Sequence, residues 1–153
     1  VYEPSLRRIQ AAIGGHYRIC GVADATGTLA LHTGAHPYWA SAAPDGDPYW
    51  ETVNGLRGTP TTVPCTTLDA LVGELGLRPP YVLKLDIQGL EARALRGAVR
   101  TLADTAVIVC EVLLHEFDAL HTLIASLGFD LFDLTNLHRT QSGTLGWLDA
   151  VYL

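Results

Sequence analysis

Methionine is absent from this sequence of 153 residues, even at position 1. We therefore expect a fragment of a longer gene product. Basic residues are also few, since 10 Lys and Arg stand against 16 Asp and Glu and give a formal net charge of −6. Proteins that bind nucleic acid need a basic surface to meet the phosphate backbone. The charge therefore predicts no nucleic-acid partner.

Long hydrophobic runs are missing as well. The apolar stretches 106–109 and 112–114 are separated by Cys110 and Glu111, and they fall far short of the roughly 20 residues that span a bilayer. The N-terminus does not show the charged, apolar and small-residue order of a signal peptide. We therefore predict no membrane segment and a cytoplasmic location.

The cysteines and histidines lack the spacings that are typical of disulfide bonds and zinc sites. Cys20, Cys65 and Cys110 lie 45 residues apart without a C-x-x-C pair, which argues against a disulfide framework and a zinc site. His115 and His121 lie six positions apart, whereas two metal ligands on one helical face need four. The sequence therefore predicts free thiols and no metal site.

What the chain does contain is the alternation of short β-rich runs and helical stretches. Its length and its 48% of hydrophobic residues fit a single domain over residues 1–153. Alternating strands and helices predict an α/β fold with a mostly parallel sheet covered by helices on both faces. We predict strands at 16–23, 28–33, 61–64, 81–85, 106–113, 129–134 and 147–153, and helices at 5–13, from 67 to about 76, at 90–102 and at 117–127.

Residues 35–60 interrupt this alternation. They are rich in Gly, Pro, Asp and aromatic residues and follow neither the helical nor the strand period, which predicts a long surface insertion. Trp39, Tyr49 and Trp50 are the large aromatic residues of this insertion, and under the family resemblance described below they would cover a bound acceptor molecule. They serve equally well as packing anchors for the loop.

Two carboxylates stand where predicted strands end. Asp86 follows the strand 81–85, and ligands of open α/β sheets bind at the carboxyl ends of the strands. The alternative is that Asp86 caps the next helix. Glu111 ends an otherwise apolar strand, where a carboxylate needs a partner or a position at the rim of a crevice.

Spacing leaves two interpretations open for each of two further candidates. Glu91 either faces the same crevice as Asp86 or forms an ion pair with Arg93 or Arg96 on the helix surface. His115 follows the strand that carries Glu111, so it is a candidate general base, although an exposed loop histidine is the commoner case.

Three segments together resemble FkbM-type methyltransferases. They are 63–69 (Val-Pro-Cys-Thr-Thr-Leu-Asp), 84–91 (Lys-Leu-Asp-Ile-Gln-Gly-Leu-Glu) with Leu95 and the Gly97-Ala98 pair after it, and 109–112 (Val-Cys-Glu-Val). The resemblance implies a Rossmann-like class I methyltransferase sheet, mostly parallel with an antiparallel last strand, whose first strand and glycine loop are missing. It also implies S-adenosylmethionine as cofactor and a small-molecule acceptor, with methylation of a hydroxyl on a sugar, polyketide or similar compound.

The resemblance assigns roles to single residues. Glu3, as the end of the second strand, would bind the ribose hydroxyls, unless it is only an N-terminal acid of the next helix. Asp24 would lie near the adenine, although it also fits a turn before Gly27. Asp86 would orient the cofactor or the acceptor. The catalytic candidates are therefore Asp86, Glu91, Glu111 and His115, and the cofactor-binding candidates are Glu3, Asp24 and Asp86.

Two expectations complete the hypothesis. Without the first strand, two rows of backbone groups would be unpaired in the middle of the sheet, so residues 1–153 alone should be neither stable nor active, and should not bind S-adenosylmethionine. The alternative function is a non-catalytic Rossmann-like domain that binds a nucleotide or a protein partner.

Overall fold

The computed structural model describes residues 3–33, 40–42 and 61–153. Most of the predicted insertion, with Trp39, Tyr49 and Trp50, lies outside these residues. In chain order the elements are α1 (Glu3–Ile13), β1 (Gly21–Val22), β2 (Gly27–Thr33), β3 (Ala40–Ser41), β4 (Thr61–Thr66), α2 (Leu68–Leu75), β5 (Tyr81–Leu85), α3 (Glu91–Arg96), α4 (Val99–Ala103), β6 (Thr105–Leu113), a 3-10 helix (Leu114–Glu116), α5 (Phe117–Ser126), β7 (Leu131–Arg139) and β8 (Leu145–Tyr152).

The described strands form two four-stranded sheets. The first has the order β1-β4-β2-β3, and in it β1 and β4 are parallel while the other neighbours are antiparallel. The second has the order β5-β6-β8-β7, and its one parallel pair is β5 and β6. The α/β class is therefore confirmed.

The prediction of a mostly parallel sheet is wrong for the described residues. Each sheet has one parallel pair and two antiparallel pairs. One reason is local: only residues 140–144 separate β7 from β8, and a connection this short can join antiparallel strands but not parallel ones. The antiparallel last strand is confirmed, because β8 is antiparallel to both of its neighbours.

Burial in the second sheet alternates along each central strand. In β6 the side chains of Ile108, Cys110 and Val112 are buried and their neighbours are only partly so. The buried face packs against α3, α4 and α5 through residues such as Leu95 and Ile124. Among the described residues helices therefore cover one face of this sheet, not both as the apolar run predicted.

The predicted helix 90–102 is two helices, α3 and α4, separated at Gly97 and Ala98. The N–H of Gly97 bonds the carbonyls of Arg93 and Ala94 at the end of α3. A Cβ on Gly97 would lie 2.3 Å from the carbonyl oxygen of Ala23. The break therefore brings α3 against the backbone that follows β1, an approach that only glycine permits.

Several boundaries follow local signals. Thr67 caps α2 by accepting a hydrogen bond from the N–H of Ala70, and Gly76 ends that helix with φ +60°. Gly14 ends α1 with φ +75°. By contrast, the predicted strand 16–23 is reduced to Gly21–Val22. In the described parts of the chain, no helix is long and apolar enough to span a bilayer.

Candidate functional site

The carboxyl ends of β5 and β6 bring two predicted site residues together. The strands are parallel, with Leu85 opposite Cys110. Asp86 directly follows β5, and Glu111 lies beside it within β6, which continues to Leu113. The side-chain Nε2 of Gln88 donates to Asp86 Oδ1 at 3.0 Å and to Glu111 Oε2 at 2.6 Å. One neutral amide therefore holds both carboxylates.

The backbone of Gln88 has an unusual conformation. Its φ is +52°, in the left-handed region that a residue with a side chain rarely enters. Gly89 follows with φ +96°. The buried hydroxyl of Ser41, in β3, donates to the carbonyl of Gln88 at 2.9 Å. The loop after β5 is thus tied to the first sheet.

Glu91 begins α3, directly after this loop. Its side chain is buried, and its two oxygens accept hydrogen bonds from the N–H groups of Ile87 and Gly89, both at 2.9 Å. A buried carboxylate needs such donors. These bonds involve both oxygens, so the predicted surface ion pair is wrong. The catalytic role of Glu91 stays a prediction.

The electrostatics of the site centre on Glu111. Partial burial raises its pKa, and the neighbouring Asp86 carboxyl group raises it further. The bond from Gln88 and the charge of Lys84 act in the opposite direction, and the result is a pKa of about 7. Lys84 is itself held by Asp149, with Nζ 2.6 Å from Oδ1. Glu111 can therefore take up or release a proton near neutral pH.

A shallow depression opens beside these groups. Its volume is about 10 Å³, and it is lined by Gln88, Gly89, Glu91, Glu111, Leu113 and Glu116. Pockets for ligands of drug or cofactor size usually enclose about 300–1,000 Å³. The depression has room for about one water molecule and not for a ligand of that size. Within the described segments, no three His, Cys, Asp or Glu residues are close enough to hold a metal ion.

The two residues predicted to bind the adenosine part of a cofactor are in exposed ion pairs. Glu3 is the first residue of α1 and bonds Arg7 one turn later, at 2.6 Å. The prediction that Glu3 ends a strand is therefore wrong, because it begins a helix. Asp24 lies in the turn before Gly27, and Arg93 donates to its Oδ1 at 2.9 and 2.7 Å. The turn prediction for Asp24 is confirmed, and the binding roles of both residues stay predictions.

His115 lies in the 3-10 helix that follows β6. Its Nε2 is 3.9 Å from Glu116 Oε1, and half of its side-chain surface is exposed. The structure thus places His115 after the Glu111 strand as predicted, but next to a different carboxylate. Its role as general base stays a prediction.

Sequence reasoning gave no role to Gln88, which the structure puts at the centre of the site. The available signal was its position two residues after the strand-end Asp86 and just before Gly89. A residue that precedes glycine in a tight turn can itself be left-handed, and this folds its side chain back over the strand end. The pattern shows the turn, but not the second carboxylate that the amide reaches.

Comparison with known proteins identifies the family. The sequence profile described as "Methyltransferase FkbM domain" matches residues 3–131, which include β1 to β6 and all the candidate site residues. No curated protein and no solved structure matches the chain. The profile covers most of the sequence and confirms the resemblance seen in its motifs. The chain belongs to the FkbM methyltransferase family.

Proposed function

We propose that this domain transfers a methyl group from S-adenosylmethionine to a hydroxyl of a small molecule, such as a sugar or a polyketide. The proposal rests on the Asp86–Gln88–Glu111 arrangement at the carboxyl edge of β5 and β6, within a domain of this family. Ligands of open α/β sheets bind at that edge. The acceptor class and the site of methylation are our inference.

The residues at this edge fit the cofactor chemically. S-Adenosylmethionine supplies a methyl group bound to a positively charged sulfur. Asp86 and Glu111 place two carboxyl groups side by side, while the nearest cation, Lys84, is paired with Asp149. The edge therefore favours a cation. We assign Asp86 to the cofactor and Glu111 to the acceptor, with Glu3 and Asp24 as proposed contacts of the ribose and the adenine.

Glu111 is the proposed general base. S-Adenosylmethionine would supply the methyl group, and the Glu111 carboxylate would accept the proton that the acceptor hydroxyl gives up. With a pKa of about 7, a substantial fraction of Glu111 is unprotonated at neutral pH and able to accept it. The remaining task of the protein is to align the acceptor with the methyl group.

The test uses the full-length protein, S-adenosylmethionine labelled in the methyl group and a panel of sugars and polyketides. Glu111→Gln removes the base and should lower kcat by about 10²–10⁴-fold. Asp130→Asn is the matched control, because Asp130 is exposed and lies outside the site. Full activity of Glu111→Gln would refute the role of the base.

The pH dependence gives a second readout. Only unprotonated Glu111 accepts a proton, so kcat/KM should rise with pH through about 7 and then level off. This limb should disappear in Glu111→Gln. Binding of S-adenosylmethionine by calorimetry without transfer to any acceptor would favour the non-catalytic alternative. The cytoplasmic location is likewise a proposal, which cell fractionation tests.

A further inference from the structure

The turn at Gln88 needs outside support. A non-glycine residue in the left-handed region is unfavourable and persists only where the surroundings hold it there. Three hydrogen bonds supply this support. Glu91 accepts the N–H groups of Ile87 and Gly89, on either side of Gln88, and Ser41 donates to the Gln88 carbonyl.

The supported turn has a consequence for the site. The same residue whose backbone is held in this conformation extends its amide to Asp86 Oδ1 and Glu111 Oε2. A relaxed turn would carry the amide away from at least one of them, because the two bonds need one orientation of the side chain. Glu91 is thus connected to Glu111 through the loop backbone and one amide.

We propose that Glu91 is a positioning residue. By accepting the two amides that flank Gln88, it keeps Gln88 in the left-handed conformation from which the side-chain amide bridges Asp86 and Glu111. Glu91 acts without touching a ligand. We call this connection, from Glu91 through the loop backbone and the Gln88 amide to Glu111, the relay. The relay does not depend on the proposed methyl transfer, and only its importance for catalysis rests on that function.

The protonation of Glu111 reports on this relay, because the bond from Gln88 favours the charged carboxylate. The other charged groups on this side are Lys84 and Asp86 at the end of β5, Asp149 opposite Glu111 on β8, and Glu116 in the lining of the depression. None of them is altered by a substitution at Glu91. A changed titration of Glu111 in such a variant must therefore come through the loop or from the lost charge of Glu91.

The sign of the change separates these two routes. Loss of the negative charge of Glu91 would by itself make Glu111 easier to ionise, so its titration midpoint would fall. Loss of the bond from Gln88 makes Glu111 harder to ionise, so the midpoint would rise. The inference predicts a rise.

The experiment follows the side-chain carboxyl carbon of Glu111 by ¹³C NMR during a pH titration, with the signal assigned from Glu111→Gln. The wild-type midpoint should lie near 7. In Gln88→Ala it should rise by about one pH unit, as expected for a lost hydrogen bond to a charged group. Glu91→Gln should raise it in the same direction. In the double variant the midpoint should rise no further than in Gln88→Ala alone, because Glu91 acts on Glu111 through Gln88.

Asp69→Asn is the matched control, since Asp69 also clamps backbone amides, those of Arg100 and Thr101, but has no bond to the Gln88 loop. It should lower the melting temperature and leave the Glu111 midpoint unchanged. If Glu91→Gln does not fold, Glu91→Asp keeps the charge on a shorter side chain and should also raise the midpoint.

A midpoint that stays or falls in the Glu91 variants, or additive shifts in the double variant, would overturn the inference. That failure is distinct from failure of the proposed function. The titration needs no acceptor, so it decides the role of Glu91 even if no compound is methylated. Conversely, loss of transfer in Glu111→Gln with an unshifted Glu91→Gln titration would support the function and refute the relay.

Discussion

Asp69, the acidic residue of the first family motif, should be a structural clamp, a carboxylate that holds backbone N–H groups of another helix. Its removal should lower the stability of the fold and not the rate of methyl transfer. Its Oδ1 accepts hydrogen bonds from the N–H and the hydroxyl of Thr101, both at 2.8 Å, and its Oδ2 accepts the N–H of Arg100 at 3.1 Å. These groups belong to the first turn of α4, whose preceding residue offers no side-chain cap. Asp69 therefore caps α4 from α2.

The structure gives the size of the effect. Thr101 is buried, so its N–H would lose its acceptor without gaining water, which costs about 1–3 kcal/mol. Arg100 is exposed, and its N–H can turn to solvent at little cost. We expect Asp69→Ala to lose about 2 kcal/mol of unfolding free energy. For a domain of this size each kcal/mol lowers the melting temperature by about 2–4 °C, so the fall should be about 4–8 °C.

The effect should depend on pH in a defined direction. Burial raises the pKa of Asp69, but the bonds from Arg100 and Thr101 together outweigh it, and the pKa lies below its usual value. Because the pKa is lowered in the folded state, the charged carboxylate stabilises the fold at pH values above the pKa that Asp69 has in the unfolded chain. This stabilisation is lost as the pH falls through the lower pKa of the folded state. The difference in melting temperature between wild type and Asp69→Asn should therefore be largest at pH 7 and shrink below about pH 4.

Thermal melts followed by circular dichroism at several pH values measure both effects. Asp130→Asn is the control, since it removes an exposed carboxylate that makes no side-chain hydrogen bond in the described part of the chain. An Asp69→Ala protein with an unchanged melting temperature would refute the clamp. A difference that grows on acidification would refute the electrostatic account.

Three other substitutions test the packing. Gly97→Ala should lower the melting temperature, because the added methyl group would clash with the Ala23 carbonyl. This clash should outweigh the roughly 0.5–1 kcal/mol that alanine gains over glycine in a helix. A melting temperature at or above that of the wild type would contradict this contact. Tyr152→Phe should leave the melting temperature unchanged or higher, since the buried Tyr152 hydroxyl has no partner among the described residues; a clear fall would show that it has one. Leu95→Ala should cost about 2–5 kcal/mol in denaturant unfolding, because Leu95 is fully buried in the helix layer, and a loss below 1 kcal/mol would show a loosely packed core.

Elements marked by local signals were predictable from the sequence. The strand 81–85 is found at the predicted residues, and α2 begins after Thr67 and ends at Gly76 as expected. Each of these signals acts within a few residues, through a cap, a left-handed glycine or an apolar run. Partner choice between strands is different, because it depends on residues far apart in sequence. The parallel sheet was accordingly over-predicted, and β8 lies between β6 and β7.

The motifs identified the site but did not separate the roles of its acids. Spacing placed Asp86 and Glu111 at strand ends. Asp86 does follow β5, but Glu111 lies two residues before the end of β6, and the Gln88 amide joins the two acids. Spacing allowed Glu91 either a crevice or an ion pair. Glu91 does line the depression, but its two oxygens accept the N–H groups of its own loop and not an arginine. The type of a residue does not show whether its backbone N–H donates to a carboxylate, so no pattern of side chains could predict this partner of Glu91.

The number of backbone donors on each carboxylate separates the four motif acids by role. Asp69 and Glu91 have both oxygens bonded to backbone N–H groups, and an oxygen already satisfied in a buried position gains little from a ligand. Asp86 and Glu111 share a single side-chain amide and accept no backbone N–H in the described structure, so each has an oxygen left for a substrate or cofactor. The family motif therefore combines two acids that shape the loops with two that remain available for chemistry. On the two proposals made above, Glu91 holds the amide shared by Asp86 and Glu111, so the acids that shape the loops and the acids proposed for chemistry cannot be exchanged, although all four are carboxylates.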